Sequence, residues 1–176
     1  MTVPPTRVLG VDPGSVRSGW AVIGGSPARP ELLACGEIDV PAAWSFERRL
    51  AALHEAFTAV VADATPTHAA VEAPFQGVSA RAALQLAHAR GVVLAVLGVA
   101  RVPVTEYAPA TIKKAVTGNG RAEKSQVATM VRQLLRSADP SLHDDVSDAT
   151  AAALCHVYLT GWSARIASAS QPRASR

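Results

Sequence analysis

The sequence predicts an α/β domain in which a meander of three strands opens the chain, helices then alternate with two more strands, and helices close it. Two observations carry this. Short apolar runs end at Asp12 and Glu72, as buried strands do, and from Trp44 onward runs with apolar residues at helical spacing alternate with them. Crossovers through those helices would join the first strand to the later ones.

RVLGVD (Arg7 to Asp12) reads as a buried strand, stopped by the turn signal Pro13-Gly14-Ser15. Gly19 to Ile23 is a second strand, Gly24 to Pro30 a loop, and Glu31 to Ile38 a third strand. Phe46, Leu50, Leu53, Phe57, Val60 and Val61 share one helical face, which predicts an amphipathic helix within Trp44 to Asp63. THAAVE (Thr67 to Glu72) is the fourth strand, Ser79 to Ala100 an alanine-rich helix, and Val102 to Glu106 the fifth strand. Pro109 suits the first turn of a short helix, Tyr107 to Val116, which Thr117-Gly-Asn-Gly120 ends. Two further helices follow at Glu123 to Arg136 and Asp145 to Leu159. Residues 1–160 form the domain, and 161–176, with three arginines and no acid, read as a flexible basic tail.

At 176 residues with 49% hydrophobic composition, the chain is long and apolar enough for one buried core, and a disordered body is excluded. The longest stretch free of Asp, Glu, Lys and Arg, Ala149 to Ala164, contains His156 and is shorter than the ~20 residues of a membrane span, and the apolar run after Arg7 is too short for a secretory signal. A cytoplasmic protein with no membrane partner is expected. Cys35 and Cys155, far apart and outside any CxxC, read as buried thiols.

The formal net charge of +3 is unevenly spread. Between Ala73 and Leu142 stand nine basic residues, Arg81, Arg121 and all three lysines (Lys113, Lys114, Lys124) among them, against three acids. Such a basic middle suits a polyanion held by its backbone, although a solvated basic face has the same composition.

The acids point elsewhere. Asp12 and Glu72 each close an apolar strand with no cation adjacent in sequence, and a buried carboxylate needs a cation, a donor or a proton. Asp145 and Asp148, three apart at a helix start, share one face. Four oxygen donors without a Cys or His pair suit a hard ion, Mg²⁺ or Mn²⁺, rather than zinc. Taken singly, Asp12 could open a turn, Asp145 and Asp148 could complement a helix dipole, Glu72 could be a water-exposed strand end, and His143 suits a surface position.

VLGVDPGSVRSGWAVI (Val8 to Ile23), AAVEAPF (Ala69 to Phe75), HARGVVLA (His88 to Ala95), GNGRAEKSQV (Gly118 to Val127) and DDVSDATAAAL (Asp144 to Leu154) together resemble the RuvC family of Holliday-junction resolvases. The resemblance implies a ribonuclease H-like fold, a five-stranded mixed sheet flanked by helices. It implies that Asp12, Glu72, Asp145 and Asp148 bind two metal ions that hydrolyse a phosphodiester. Lys124 in the EKSQ motif would be held near the scissile phosphate, and Lys113, or its neighbour Lys114, would be a second functional cation. Phe75 would stack on an unpaired base at the crossover, in a setting, Glu72-Ala73-Pro74-Phe75, where the family commonly has a Gln after its Glu and no Pro. Arg81 and Arg121 join the expected DNA contacts. Paired symmetric nicks in a two-fold junction imply a homodimer, for which the helix from Ser79 offers a face, and the family implies a branch-migration partner of the RuvAB kind. The other readings are a YqgF-like nuclease acting on RNA, a non-catalytic junction-binding module in which four carboxylates would repel phosphate, and an actin-like ATPase fragment, for whose two lobes the chain is too short.

Overall fold

Ten elements follow one another in the predicted order: β1 (Val8–Asp12), β2 (Arg17–Ser26), β3 (Arg29–Asp39), α1 (Phe46–Ala64), β4 (His68–Glu72), α2 (Ala80–Val99), β5 (Val104–Tyr107), α3 (Pro109–Thr117), α4 (Lys124–Leu135) and α5 (Asp144–Ala169). The structure, a computed structural model, describes residues 6–73, 79–136 and 142–169, the last eight by backbone alone. The strands form one mixed sheet in the order β3-β2-β1-β4-β5. β1 pairs antiparallel with β2, which pairs antiparallel with β3, while β1, β4 and β5 run parallel. This is the five-stranded sheet expected of a ribonuclease H-like domain.

Alternate residues of the central strands face opposite sides, so each side of the sheet has its own core. Leu9, Val11, Val22 and Val71 pack with Leu53 and Phe57 of α1 and Val93 and Leu97 of α2. Val8, Ile23 and Ala70 pack with Ile112, Val116, Val127, Val131, Val146 and Leu154 of α3, α4 and α5. Cys155 is buried in this second core, and Cys35 is half-buried on β3.

Three features depart from the sequence reading. The expected loop at Gly24 to Pro30 is mostly strand, because Gly25 takes φ +81° and Pro30 lies on edge strand β3, where a missing N–H costs little. α5 continues to Ala169 rather than ending at Leu159, since a single glycine, Gly161, does not stop a helix. Finally, α2 is by length and composition apolar enough to cross a membrane, with mean hydropathy 1.6. It nevertheless carries Arg81 and Arg90, and Arg90 pairs with Glu106 of β5. The remainder of the tail, 170–176, lies outside the described residues.

Candidate active site

Asp12 and Glu72 end the neighbouring parallel strands β1 and β4, so the sheet itself delivers both carboxylates to one edge. α5 begins on the same edge and brings Asp145 and Asp148 from its first turns. Ligand oxygens of Asp12, Asp145 and Asp148 all lie within 4.8 Å of one another, an arrangement that could hold a metal ion. Glu72 lines an adjoining cleft of about 510 Å³ together with Asp148, Lys113 and Lys124.

The turn after Asp12 is braced from within. Ser18 Oγ accepts from Gly14 N at 2.9 Å and donates to Gly14 O at 2.8 Å. Gly14 is required there, because an added Cβ would stand 1.9 Å from the Arg17 carbonyl oxygen.

The electrostatics of the cluster are those of crowded acids. Burial, then the charges of Asp148, Glu72 and Asp145, push the Asp12 carboxyl up to about 7, with Lys124 opposing. Glu72 is raised by burial and Asp148 against the pull of Lys113 and Lys124. Asp148 is also raised: burial outweighs its contact with Lys124, whose Nζ donates to Oδ2 at 2.8 Å. That contact in turn raises Lys124. Lys124 Nζ also stands 4.0 Å from Asp145 Oδ1. A half-buried group of carboxylates with one lysine is short of positive charge, and a hard divalent cation fits its all-oxygen donor set.

A test on the metal-free protein follows from the raised Asp12. Between the ordinary carboxylate value and about 7 the folded state holds a proton that the unfolded state has lost, so this group's contribution to stability falls as pH rises through that window. A divalent ion bound at Asp12 would take the place of the proton. Thermal melts should therefore show a larger rise in Tm on adding Mg²⁺ or Mn²⁺ at pH 8 than at pH 5.5. An equal rise at both values would contradict the assignment.

The remaining candidates separate. Lys113 is half-buried in the cleft, whereas Lys114 is exposed and absent from the cleft lining. Arg121 is exposed in the turn before α4, and Arg81 is exposed in the first turn of α2. Phe75 lies outside the described residues. The Gly118 to Arg121 loop, whose backbone N–H groups the sequence places before a helix start and so offers to phosphate, spends most of them internally: Gly118 N donates to Lys114 O at 2.9 Å, Asn119 N to Thr117 Oγ1 at 3.1 Å and Arg121 N to Asn119 Oδ1 at 3.0 Å, while Glu123 stands at the N-cap of α4. His143, read as a surface residue, places Nδ1 3.4 Å from Glu37 Oε2.

Sequence reasoning missed Arg17 and Glu37. Arg17 Nε lies 2.6 Å from Glu37 Oε1, 3.0 Å from Asp39 Oδ1 and 4.0 Å from Asp145 Oδ2, so a second cation flanks the acidic group. Only the β2–β3 register, with Gly19 opposite Glu37, brings them together.

The sequence model described as "Crossover junction endodeoxyribonuclease RuvC" matches residues 8–156. Among curated proteins, one of that name from Methylocella silvestris is 44% identical over 153 residues, covering 87% of this chain and 86% of its own. Another from Sorangium cellulosum is 41% identical over 166 residues, covering 94% and 92%. The structure of T. thermophilus RuvC in complex with a Holliday junction substrate superposes with TM-score 0.84 at 29% identity, covering 90% of this chain and 96% of that one. The yeast mitochondrial Holliday junction resolvase Ydc2 shares the fold, with TM-score 0.65 at 13% identity.

Proposed function

The chain belongs to the RuvC family of crossover junction endodeoxyribonucleases, and from that premise we propose that it resolves four-way DNA junctions by paired, symmetric, metal-dependent nicks. The observation that carries the reading is the meeting of Asp12, Asp145 and Asp148 within 4.8 Å beside a cleft lined by Glu72, Lys113 and Lys124, in a chain matched by the family over residues 8–156. A related nuclease acting on RNA and a non-catalytic module are both less well supported. The first lacks the match to a junction-bound relative, and the second would retain four carboxylates that repel phosphate.

Asp12, Glu72, Asp145 and Asp148 would hold the metal, Mg²⁺ or Mn²⁺, two ions per site. Bound there, the ions supply an activated water for in-line attack and charge compensation at the phosphoryl and leaving oxygens. The protein's part is positioning. Two strand ends and one helix fix the carboxylates, so metal affinity is set by the fold rather than by mobile loops. Lys124, at the start of α4, holds Asp148 at 2.8 Å and would be free to donate to a phosphoryl oxygen were that carboxylate given to a metal ion, and Lys113 faces the same space from α3. Lys114, Arg121 and Arg81 are exposed and would meet phosphates further out, and Phe75 would stack at the opened crossover. Accordingly Lys124→Ala should lower kcat by roughly 10²-fold with a far smaller change in junction Kd. Single-turnover nicking beside equilibrium binding separates the two effects, and a loss confined to Kd would contradict this role.

Two matching cuts need two sites related by a two-fold axis, which supports a homodimer. α2 supplies the face. Leu84 is 61% exposed, and a Cβ added at Gly91 or Gly98 would meet nothing within 4 Å, so the outer side of α2 is an open apolar surface suited to a second copy of itself. Leu84→Glu should convert the dimer to monomer in sedimentation at micromolar concentration, and a dimer that persists would place the interface elsewhere. The family further suggests a RuvAB-type motor as partner and a site of action on chromosomal DNA in the cytoplasm.

The test is incubation of the protein with labelled four-way DNA junction, linear DNA duplex and RNA duplex in Mg²⁺, Mn²⁺ or EDTA. Metal-dependent cutting of the junction alone supports the proposal, whereas cutting of RNA, or binding without cutting, supports one of the alternatives.

A further inference from the structure

The sheet edge that carries Asp12 and Glu72 also carries the start of α1. β2 reverses the direction of β1 and β3 reverses it again, so β1, β3 and β4 all end on that edge. Beyond β3 the chain turns through Pro41, whose carbonyl accepts from Trp44 N at 3.0 Å, and enters α1. Two contacts tie this entry to the turn after Asp12. Val40 N donates to Val16 O at 2.7 Å, and Arg49 Nη1 reaches from α1 to Ser15 O at 3.2 Å. Arg49 is 8% exposed and thus spent on holding the turn.

Its neighbour Arg48 is different. It is exposed, and its guanidinium carbon lies 3.8 Å from the centroid of the Trp44 ring. Among the described residues no carboxylate pairs with it, and Glu47 beside it is hydrogen-bonded to Ser45. Stacking on an indole fixes the guanidinium plane without consuming its N–H donors. The result is a preorganised, uncompensated cation on a bank of the sheet edge rigidly joined to the turn of a candidate metal ligand. Lys113 and Lys124 lie on the other side of the sheet, with α3 and α4.

We propose that Arg48, seated on Trp44, binds a backbone phosphate of the junction DNA on the α1 side of the acidic centre, across the sheet from Lys113 and Lys124. This rests on the resolvase reading above. α1 packs with α2 on one face of the sheet, and α2 is the helix that would meet the second copy in the proposed dimer, so DNA spanning the two centres would pass the start of α1. The contact is made to phosphate and therefore adds affinity without sequence preference.

Fluorescence anisotropy of a labelled four-way junction in EDTA, over a series of NaCl concentrations, tests it. Arg48→Ala should raise Kd about 5- to 10-fold and reduce the slope of log Kd against log[NaCl] by about 1, as loss of one phosphate contact does. Arg48→Lys should restore most of the slope, and Trp44→Ala should weaken binding about 3-fold because the arginine loses its seat. Arg29→Ala removes an exposed charge at the β2–β3 turn, on the opposite edge, and should stay within about twofold of wild type. Wild-type Kd and slope in Arg48→Ala, or a change no larger than that of Arg29→Ala, would overturn the proposal. A wild-type protein that fails to prefer the junction over linear duplex would instead remove the resolvase reading beneath it.

Discussion

Asp148→Asn is expected to bind a four-way junction with near wild-type affinity and to nick it at least about 10³-fold more slowly. The substitution preserves shape and removes one charge from a group in which like charges already oppose one another. Burial and the neighbouring acids raise the Asp148 and Asp12 carboxyls, so the metal-free fold gains rather than loses by the change, and its Tm should equal or exceed that of the wild type. What is lost is one of the carboxylates proposed to hold the cation and the partner that holds Lys124 at 2.8 Å. The basic surface from Lys113 to Arg136 is untouched, which is why binding survives. Wild-type nicking in Asp148→Asn would show that the four-carboxylate assignment is wrong.

Gly19→Ala is expected to lower the Tm by about 6–12 °C and to reduce nicking by roughly 10²-fold or more. α5 lies so close to β2 that a Cβ at Gly19 would stand 2.0 Å from the Asp145 carbonyl oxygen, 2.3 Å from its carbon and 2.8 Å from Val146 N. These are backbone atoms, which cannot swing aside as the end of a side chain can. Relief requires α5 to move away from the sheet, opening the core around Val146 and Ala149 at a cost of about 3 kcal/mol or more. The same movement displaces Asp145 from Asp12. Gly10 is under the same constraint one strand over, 2.0 Å from the Ala149 carbonyl oxygen. Circular dichroism melts and single-turnover nicking read both effects, and a Gly19→Ala protein with wild-type Tm would mean that α5 is not seated on β2 in this way.

Much of this was legible in the chain itself. The strands before Asp12 and Glu72 are nearly pure apolar runs bounded by turn residues, and the helices carry apolar faces at unambiguous spacing, so element order and the placing of the acids at strand ends and a helix start followed directly. The β2–β3 hairpin was harder, because Gly24 to Pro30 has the composition of a loop and only pairing across an edge strand makes most of it extended. Arg17 and Glu37 were invisible for a related reason: their contact depends on strand register, which composition does not encode. Lys113 and Lys114 are equivalent in sequence, and it is the rotation of α3 that turns Lys113 into the cleft and leaves Lys114 exposed. The glycines at 10 and 19 read only as strand residues until the closeness of α5 explained them.

Cleavage of a supercoiled plasmid bearing an extruded cruciform, under single-turnover conditions with and without Mg²⁺ or Mn²⁺, tests most directly whether this acidic centre resolves junctions. Two coordinated cuts in one binding event convert the circle straight to linear DNA with nicks placed symmetrically about the crossover, and EDTA abolishes the product. Predominantly open-circular DNA from single unpaired nicks, or linear product formed equally well in EDTA, would contradict paired metal-dependent resolution.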